Sequence, residues 1–344
     1  MSGRRIGAAE LDDFLASRMD SLAIPGLSIA VVNGGRVVYH RTLGVEEAGT
    51  ARRVDGGTVF EAASLTKPVF AYLTLRLVGR GFLELDTPLY RYAPLEALSD
   101  GSYRAITADE RHRLITARMV LDHTTGLPNW RWNTPDRTLR IQSTPGTRYA
   151  YSGEAHELLA DVLARLSGTP VEGLEAVFQR EVAAPLGMAR AALVRDSALA
   201  RRTASRHVAG EPKGNEWCCE GRGFMASGGL HTEALSYARF LVAVMEGTGL
   251  SAAHADEMLR EQVRLPADAA AGRDDGVTGW GLGFAIRPSP YGRLHLHGGA
   301  NTGFRSAFLF QREQKNGYVV FTNSDRGDEL NLRLMALFLE PARD

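Results

Sequence analysis

Apolar residues recur at helical spacing near the N-terminus. Leu11, Phe14, Leu15, Met19 and Leu22 predict an amphipathic helix over about 8–22. Two apolar runs follow, Gly26-Leu27-Ser28-Ile29-Ala30-Val31-Val32 and Arg36-Val37-Val38-Tyr39-His40, on either side of Asn33-Gly34-Gly35. That is the signature of a hairpin closed by a tight glycine turn. A short strand is predicted near Val59-Phe60-Glu61, and an apolar helix from Lys67 to about Arg80. From about 85 to 230 short helical stretches alternate with loops rich in Thr, Pro, Gly and Asp, with helices predicted over 116–121, 154–166 and 171–183. Strand patterns return over 280–286, 293–297, 306–310 and 318–321, and an amphipathic helix closes the chain near 330–339.

Strands at both ends with helices between them predict an α+β fold, an α/β sandwich. Its antiparallel sheet is built from both termini and flanked by N- and C-terminal helices. A mainly helical lobe is inserted. The expected limits are 1–84 with 231–344 for the sheet domain and 85–230 for the insertion. A chain of 344 residues is long enough for two lobes sharing one core. No internal repeat or low-complexity linker is visible. Gly279-Trp280-Gly281-Leu282-Gly283 superficially resembles a dinucleotide loop, but it lacks the third spaced glycine and no helix follows. It reads as a strand packed closely on a neighbour.

Charge narrows the partners. Formal net charge is zero and the sequence pI is about 7.1. There is no basic stripe for nucleic acid and no acidic tract. A small substrate is expected. Glu10, Asp12 and Asp13 sit where a secretory leader needs an apolar run, and no stretch has the length of a membrane span. The expectation is a cytoplasmic protein with no membrane partner. Cys218 and Cys219 are adjacent, which excludes a disulfide framework and reads as two small apolar residues near a core. Only Lys67, Lys213 and Lys315 are lysine, so 37 of the 40 basic residues are arginine. Arginine effectively never gives up its proton, whereas a buried lysine can. Lys213 and Lys315 lie in polar turns and read as exposed. Lys67 lies among apolar residues.

Lys67 belongs to Ala63-Ser64-Leu65-Thr66-Lys67-Pro68-Val69. A helix starting at about Ser64 puts Ser64 and Lys67 on one face, a turn apart. A serine is a weak nucleophile until a base takes its proton, and a lysine kept neutral by apolar surroundings can do so. Alone, the pattern is weak: a serine cap followed by a surface lysine looks the same. Pro145-Gly146-Thr147-Arg148-Tyr149-Ala150-Tyr151-Ser152-Gly153 then brings Tyr151 to the entrance of a helix, where a phenol can act as acid or base. Tyr149 is the better candidate for plain packing there. Finally, Leu296-His297-Gly298-Gly299-Ala300-Asn301 follows a strand with small residues that let backbone N–H groups approach a substrate carbonyl. The N–H groups of Ser64 and Ala300 are the candidate oxyanion hole. His297 is expected to point into the cleft, with His295 on the same strand face. A two-histidine metal site lacks a third ligand, so neither metal nor cofactor is called for.

Ser64-Leu65-Thr66-Lys67, Tyr151-Ser152-Gly153 and His297-Gly298-Gly299 resemble, in order and spacing, the three active-site motifs of serine β-lactamase-like and penicillin-binding proteins. The likeness is to the class C branch, including family VIII carboxylesterases, and covers roughly residues 10 to 340. Asp122-His123-Thr124-Thr125-Gly126-Leu127-Pro128 and Ala226-Ser227-Gly228-Gly229-Leu230-His231-Thr232 add to it. The resemblance implies a β-lactamase/transpeptidase-like fold with the site between sheet and helical lobe. It also implies acylation of Ser64, with Lys67 and Tyr151 handling the proton. Two positions depart from the pattern. Gly153 stands where lactamases and peptidases carry an asparagine for a substrate amide. His297 replaces the lysine that helps bind a substrate carboxylate, and is only partly charged near neutral pH.

Both departures weaken the case for β-lactams or carboxylate-ended peptides and suit the esterases and acyltransferases of the group, and a carboxylesterase for short or medium acyl esters is the leading expectation. A D-amino-acid amidase or peptidase, a β-lactamase or an acyltransferase of the same fold is the alternative. A penicillin-binding protein that acylates without turnover is the third reading. A Gly153→Asn variant gaining β-lactam turnover would support the role given to Gly153. Gly153, His297, Gly298, Gly299, Trp130, Trp217 and Arg305 are the candidate substrate contacts, with Trp132 beside Trp130. The tryptophans suit an apolar acyl pocket or ordinary packing equally. Arg305 suits a substrate anion or a surface ion pair. Oligomeric state stays open.

Overall fold

The two-residue turn Gly34-Gly35 sits at φ of 56° and 76°. Both central residues of a type I′ hairpin need that left-handed backbone. It joins β1 (Gly26–Asn33) to β2 (Arg36–Gly44). The computed structural model describes residues 4–98, 101–216, 223–266 and 276–339. Its remaining strands are β3 (Phe60–Glu61), β4 (His207–Val208), β5 (Glu211–Pro212), β6 (His231–Thr232), β7 (Val263–Arg264), β8 (Gly279–Trp280), β9 (Ala285–Ser289), β10 (Gly292–Asn301), β11 (Phe304–Gln311) and β12 (Asn316–Thr322). Eight of them form one antiparallel sheet in the order β2-β1-β12-β11-β10-β9-β8-β7. Ile29 faces Arg41 on one side and Val320 on the other, so the N-terminal hairpin is zipped directly to the last strand. Among the described residues, none between 45 and 262 contributes to this sheet. The small β3–β6 ladder, with Phe60 opposite Thr232, ties together the chain leaving the sheet and the chain returning.

Period-two alternation divides the sheet's side chains between two cores. Ile29, Leu309 and Val320 join Leu11, Leu15 and Met19 of α1 (Ala8–Ser21) on one face. Their neighbours Ala30, Phe308 and Val319 point the other way, into a core shared with the helices that run between the two halves of the sheet. That core is centred on α2 (Thr66–Gly79), which is apolar on nearly every side, as a helix enclosed by protein must be. The further helices are α3 (Arg104–Thr107), α4 (Ala117–Leu121), α5 (Gly153–Leu166), α6 (Leu174–Phe178), α7 (Ala184–Leu186), α8 (Ser197–Arg202), α9 (Ala234–Glu246), α10 (Ala252–Leu259) and α11 (Gly327–Leu339). α11 packs against β11 and β12 and puts Leu330 and Leu334 into the same core as α1. None of the described helices is long and apolar enough to cross a membrane.

Two expectations need correction. The stretch 280–286 is not one strand but the antiparallel pair β8–β9, with Trp280 opposite Ala285. Gly283 explains the turn. Its φ is +84°, and a Cβ there would fall 2.8 Å from Ala71 Cβ and 3.3 Å from Lys67 O. The glycine lets this turn press on the first turn of α2. The helix expected over 171–183 is also broken. A 3-10 turn (Val171–Gly173), α6 and a π-helical turn (Gln179–Ala183) follow one another. The π turn carries Glu181, fully buried and paired with Arg76, Arg80 and Arg180.

Candidate active site

Ser64 is presented by a bent backbone. A 3-10 turn (Ala63–Leu65) precedes α2, so the regular helix starts two residues later than expected. Ala63 has φ +48°, a left-handed conformation that costs about 1–3 kcal/mol for a residue with a Cβ. Its surroundings hold it there. Ala62 N–H donates to Leu230 O at 2.8 Å, and Thr66 Oγ1 donates to Ala63 O at 2.6 Å. Tyr237 Oη donates to Leu65 O at 2.8 Å. Ser64 is thereby left half-buried between buried neighbours.

Lys67 is 2% exposed. Its Nζ donates to Ser64 Oγ at 3.1 Å and to Ser227 O at 2.7 Å, and lies 4.7 Å from the centre of the Tyr151 ring. The Ser227 carbonyl is itself aimed. Glu157, on α5, accepts from Ala226 N at 3.2 Å, Ser227 N at 3.1 Å and Ser227 Oγ at 2.5 Å. Sequence reasoning marked the segment 226–232 without giving Ser227 a part, and missed Glu157. The one signal for Glu157 was an acidic residue on a helix whose neighbours are apolar.

Tyr151 is held by His123, also missed. The Ala150 N–H donates to His123 O at 2.7 Å, and the Ser152 N–H to His123 Nδ1 at 3.1 Å. The two rings lie 4.2 Å apart. His123 sits at φ +62°, and His156 lies 5.1 Å beyond it. Complete burial pushes both imidazoles well below their ordinary range, and the neighbouring cationic groups push the same way. Both are neutral near pH 7. His123 accepts at Nδ1, so its proton is on Nε2; His156 donates from Nδ1 to Ser152 O at 3.0 Å.

β9 pairs with β10 only as far as Leu296. Gly298 to Asn301 continue past it and line the cavity beside Ser64. A Cβ on Gly299 would fall 2.5 Å from Ala62 O and 3.2 Å from Ser64 N, so only glycine lets the strand come this close. His297 does not line the cavity. It is buried, with its ring 6.2 Å from that of Tyr151 and 5.4 Å from that of Trp280. His295, on the same face, is bonded to Leu259 O at 3.0 Å. Among the described residues no group of three or more His, Cys, Asp or Glu is placed to hold a metal ion.

The cavity has a volume of about 570 Å³. Ser64, Lys67 and Tyr151 meet in it with Ala300, and Trp130 and Trp132 line it as well. Arg305 does not. Its Nε donates to Asp328 at 2.7 Å, and Nη1 to the carbonyls of Asn301 and Phe304, both at 2.8 Å. Arg305 is thus an ion-pair residue, and Asp328 is the one that reaches the cavity. Trp217, Cys218 and Cys219 lie outside the described residues.

A family model described as Beta-lactamase matches residues 11–340. The chain is similar to "Esterase EstB" of Burkholderia gladioli, 31% identical over 60% of this chain and 56% of that protein. It is also similar to "D-alanyl-D-alanine-carboxypeptidase/endopeptidase AmpH" of Escherichia coli, 31% identical over 47% of this chain and 44% of that one. The chain thus spans about half the length of the curated relatives it matches. Among solved structures, the octameric penicillin-binding protein homologue from Pyrococcus abyssi superposes with a TM-score of 0.77 at 22% identity, covering 98% of this chain and 78% of that one. The D-alanine carboxypeptidase AmpC from Burkholderia cenocepacia gives 0.75 at 20% identity, covering 96% and 99%. These likenesses establish the β-lactamase/transpeptidase-like fold.

Proposed function

This chain belongs to the β-lactamase family, and from that premise we propose that it is a serine hydrolase that forms an acyl-enzyme on Ser64, with esters of short or medium acyl chains as substrates. The observation that carries the reading is the 3.1 Å contact between Lys67 Nζ and Ser64 Oγ inside the cavity. Ser64 Oγ attacks the ester carbonyl carbon, and its proton passes to the Lys67–Tyr151 pair. The carbonyl oxygen gathers negative charge opposite the N–H groups of Ser64 and Ala300. The bond to the alcohol part breaks, and the pair returns the proton to the departing oxygen. Water then adds to the acyl carbon, gives a proton to the same pair, and Ser64 leaves with it.

Three features favour esters over amides or carboxylate-ended peptides. Trp130 fills the space beside Gly153. Arg305 is committed to Asp328. Lys67 is the one basic side chain among the described residues lining the cavity. The likeness to AmpH keeps D-peptide hydrolysis as the second reading.

Labelling with a fluorophosphonate probe, followed by peptide mapping, tests the assignment. Ser64 should be modified, p-nitrophenyl acetate and butyrate turned over rapidly, and nitrocefin barely cleaved. Lys67→Ala should lose on the order of 10²–10⁴ in rate while staying folded. Full activity in that variant, or no modification of Ser64, would sink the reading.

A further inference from the structure

One wall of the cavity is aromatic. Trp130 and Trp132 stack with ring centroids 4.5 Å apart and planes 11° from parallel. Trp130 lies directly on Gly153, where a Cβ would fall 2.7 Å from Cη2 and 2.8 Å from Cζ2 of the indole. A side chain at 153 and the indole at 130 cannot share this space. That changes the expectation for Gly153→Asn: the amide would collide with Trp130 before it met a substrate.

The indole's chain neighbours are pinned to the start of α5. Asn129 O accepts from the N–H groups of Gly153 and Glu154, both at 3.1 Å, and Asn129 Oδ1 accepts from Gly153 N at 2.9 Å. On the other side, Arg131 gives its backbone N–H and its Nε to Glu154 Oε1 at 2.9 and 2.8 Å, and Nη2 to Oε2 at 2.7 Å. Glu154 is fully buried. With both neighbours tied down, Trp130 is fixed between Gly153 on one face and Trp132 on the other. The open planar face of the stack is the outer one of the exposed Trp132, and binding to it loses little to reordering.

We propose that the Trp130–Trp132 shelf, seated on Gly153, is the specificity element of the site and takes a planar aromatic group carried by the substrate ester. The proposal rests on the ester-hydrolase reading above. A flat ring stacks on an indole over its full area, while a puckered ring of the same size cannot. The shelf also leaves an amide dipole no side-chain partner at position 153. The aromatic group reaches it from either the acyl or the alcohol part, and two substrate pairs separate these sources.

The experiment compares kcat/KM for ethyl phenylacetate with ethyl cyclohexylacetate, and for benzyl acetate with cyclohexylmethyl acetate. Within each pair the ring is the sole difference. A roughly five-fold preference for the aromatic member is expected in at least one pair, falling to about one in Trp130→Ala. Gly153→Ala drives a Cβ into the indole and should lower the same ratio, which serves if Trp130→Ala does not fold. Equal values in both pairs, or a preference that survives in Trp130→Ala, overturns the shelf. Ser64-dependent hydrolysis of any of these esters reports on the hydrolase reading separately. If none is hydrolysed, titration of tryptophan fluorescence with benzyl alcohol and cyclohexylmethanol still reads the shelf. Tighter binding of the aromatic alcohol supports it, and equal binding removes it.

Discussion

His123 grips Tyr151 on both sides in the chain, through its carbonyl oxygen and its Nδ1, and stacks on its ring. The stacking is replaceable by another aromatic ring; the acceptor is not. His123→Phe leaves the buried Ser152 N–H without its partner, at a cost of about 1–3 kcal/mol. It also puts a bulky residue at a positive φ that histidine tolerates better. A lower urea midpoint is expected, with a loss of kcat as Tyr151 shifts. An unchanged midpoint would mean that another group takes the N–H. Glu157 acts one step further out. It accepts three hydrogen bonds from residues 226 and 227 and so aims the Ser227 carbonyl at Lys67. Glu157→Gln turns an acceptor-only group into one that also presents a donor. Ester turnover should fall, and the protein should lose about 1.5–3 kcal/mol, the worth of hydrogen bonds to a charged group. Wild-type turnover in this variant would show that Ser227 is positioned by other contacts.

At the scale of elements, the turn from Gly281 to Phe284 sets the depth at which α2 sits. Gly283 N–H donates to Leu121 O at 2.9 Å, and its Cα side presses on Ala71. Gly283→Ala should therefore strain the turn and push the first turn of α2, which carries Lys67. Pairing it with Ala71→Gly in a double-mutant cycle isolates the contact. A coupling of about 0.5–3 kcal/mol in the rescuing direction is expected; strict additivity would remove the contact from the account. Sequence reasoning saw glycines packing closely here but not the reversal, because apolar residues on both sides of a buried turn look like one strand. Other elements were plainer. Asn33-Gly34-Gly35 announced the first hairpin, since few residues accept its backbone. Ser64, Lys67 and Tyr151, which the sequence singles out by residue type and spacing, come together in one cavity. His297, expected to point into the cleft, is buried and is not among the residues lining the cavity; a strand's facing depends on register that one sequence does not display. Trp130 on Gly153 was hidden for a similar reason. The two are 23 residues apart in sequence, and nothing local says that the ring fills the glycine's missing side chain.

Across the whole molecule, buried imidazoles set the response to acid. Burial pushes His231 and His295 down to about 4, from an ordinary 6.5. His123 and His156 are depressed in the same direction. Between about 6.5 and 4 the unfolded chain therefore binds protons that the folded protein refuses. Stability is fully present above that window and falls as the pH drops through it, by up to about 1.4 kcal/mol per pH unit for each such histidine. Asp122 works the other way. Burial raises it to about 6, against the hydrogen bonds from Thr124, so on the way down from pH 6 the folded state takes up its proton first. One carboxyl offsets one imidazole at most, so the net prediction is a urea midpoint that declines steadily from pH 7 to pH 4.5. His295 is the place to test it, since it lies outside the cavity. Its ring stacks on Phe310 at 5.1 Å, and Phe284 is close by. His295→Phe keeps that packing and removes one titrating group. Its stability curve should lose about one proton of slope between pH 6.5 and 4. Asp122→Asn should instead steepen the curve below pH 6. If both variants run parallel to the wild type through this window, the acid sensitivity resides in other groups.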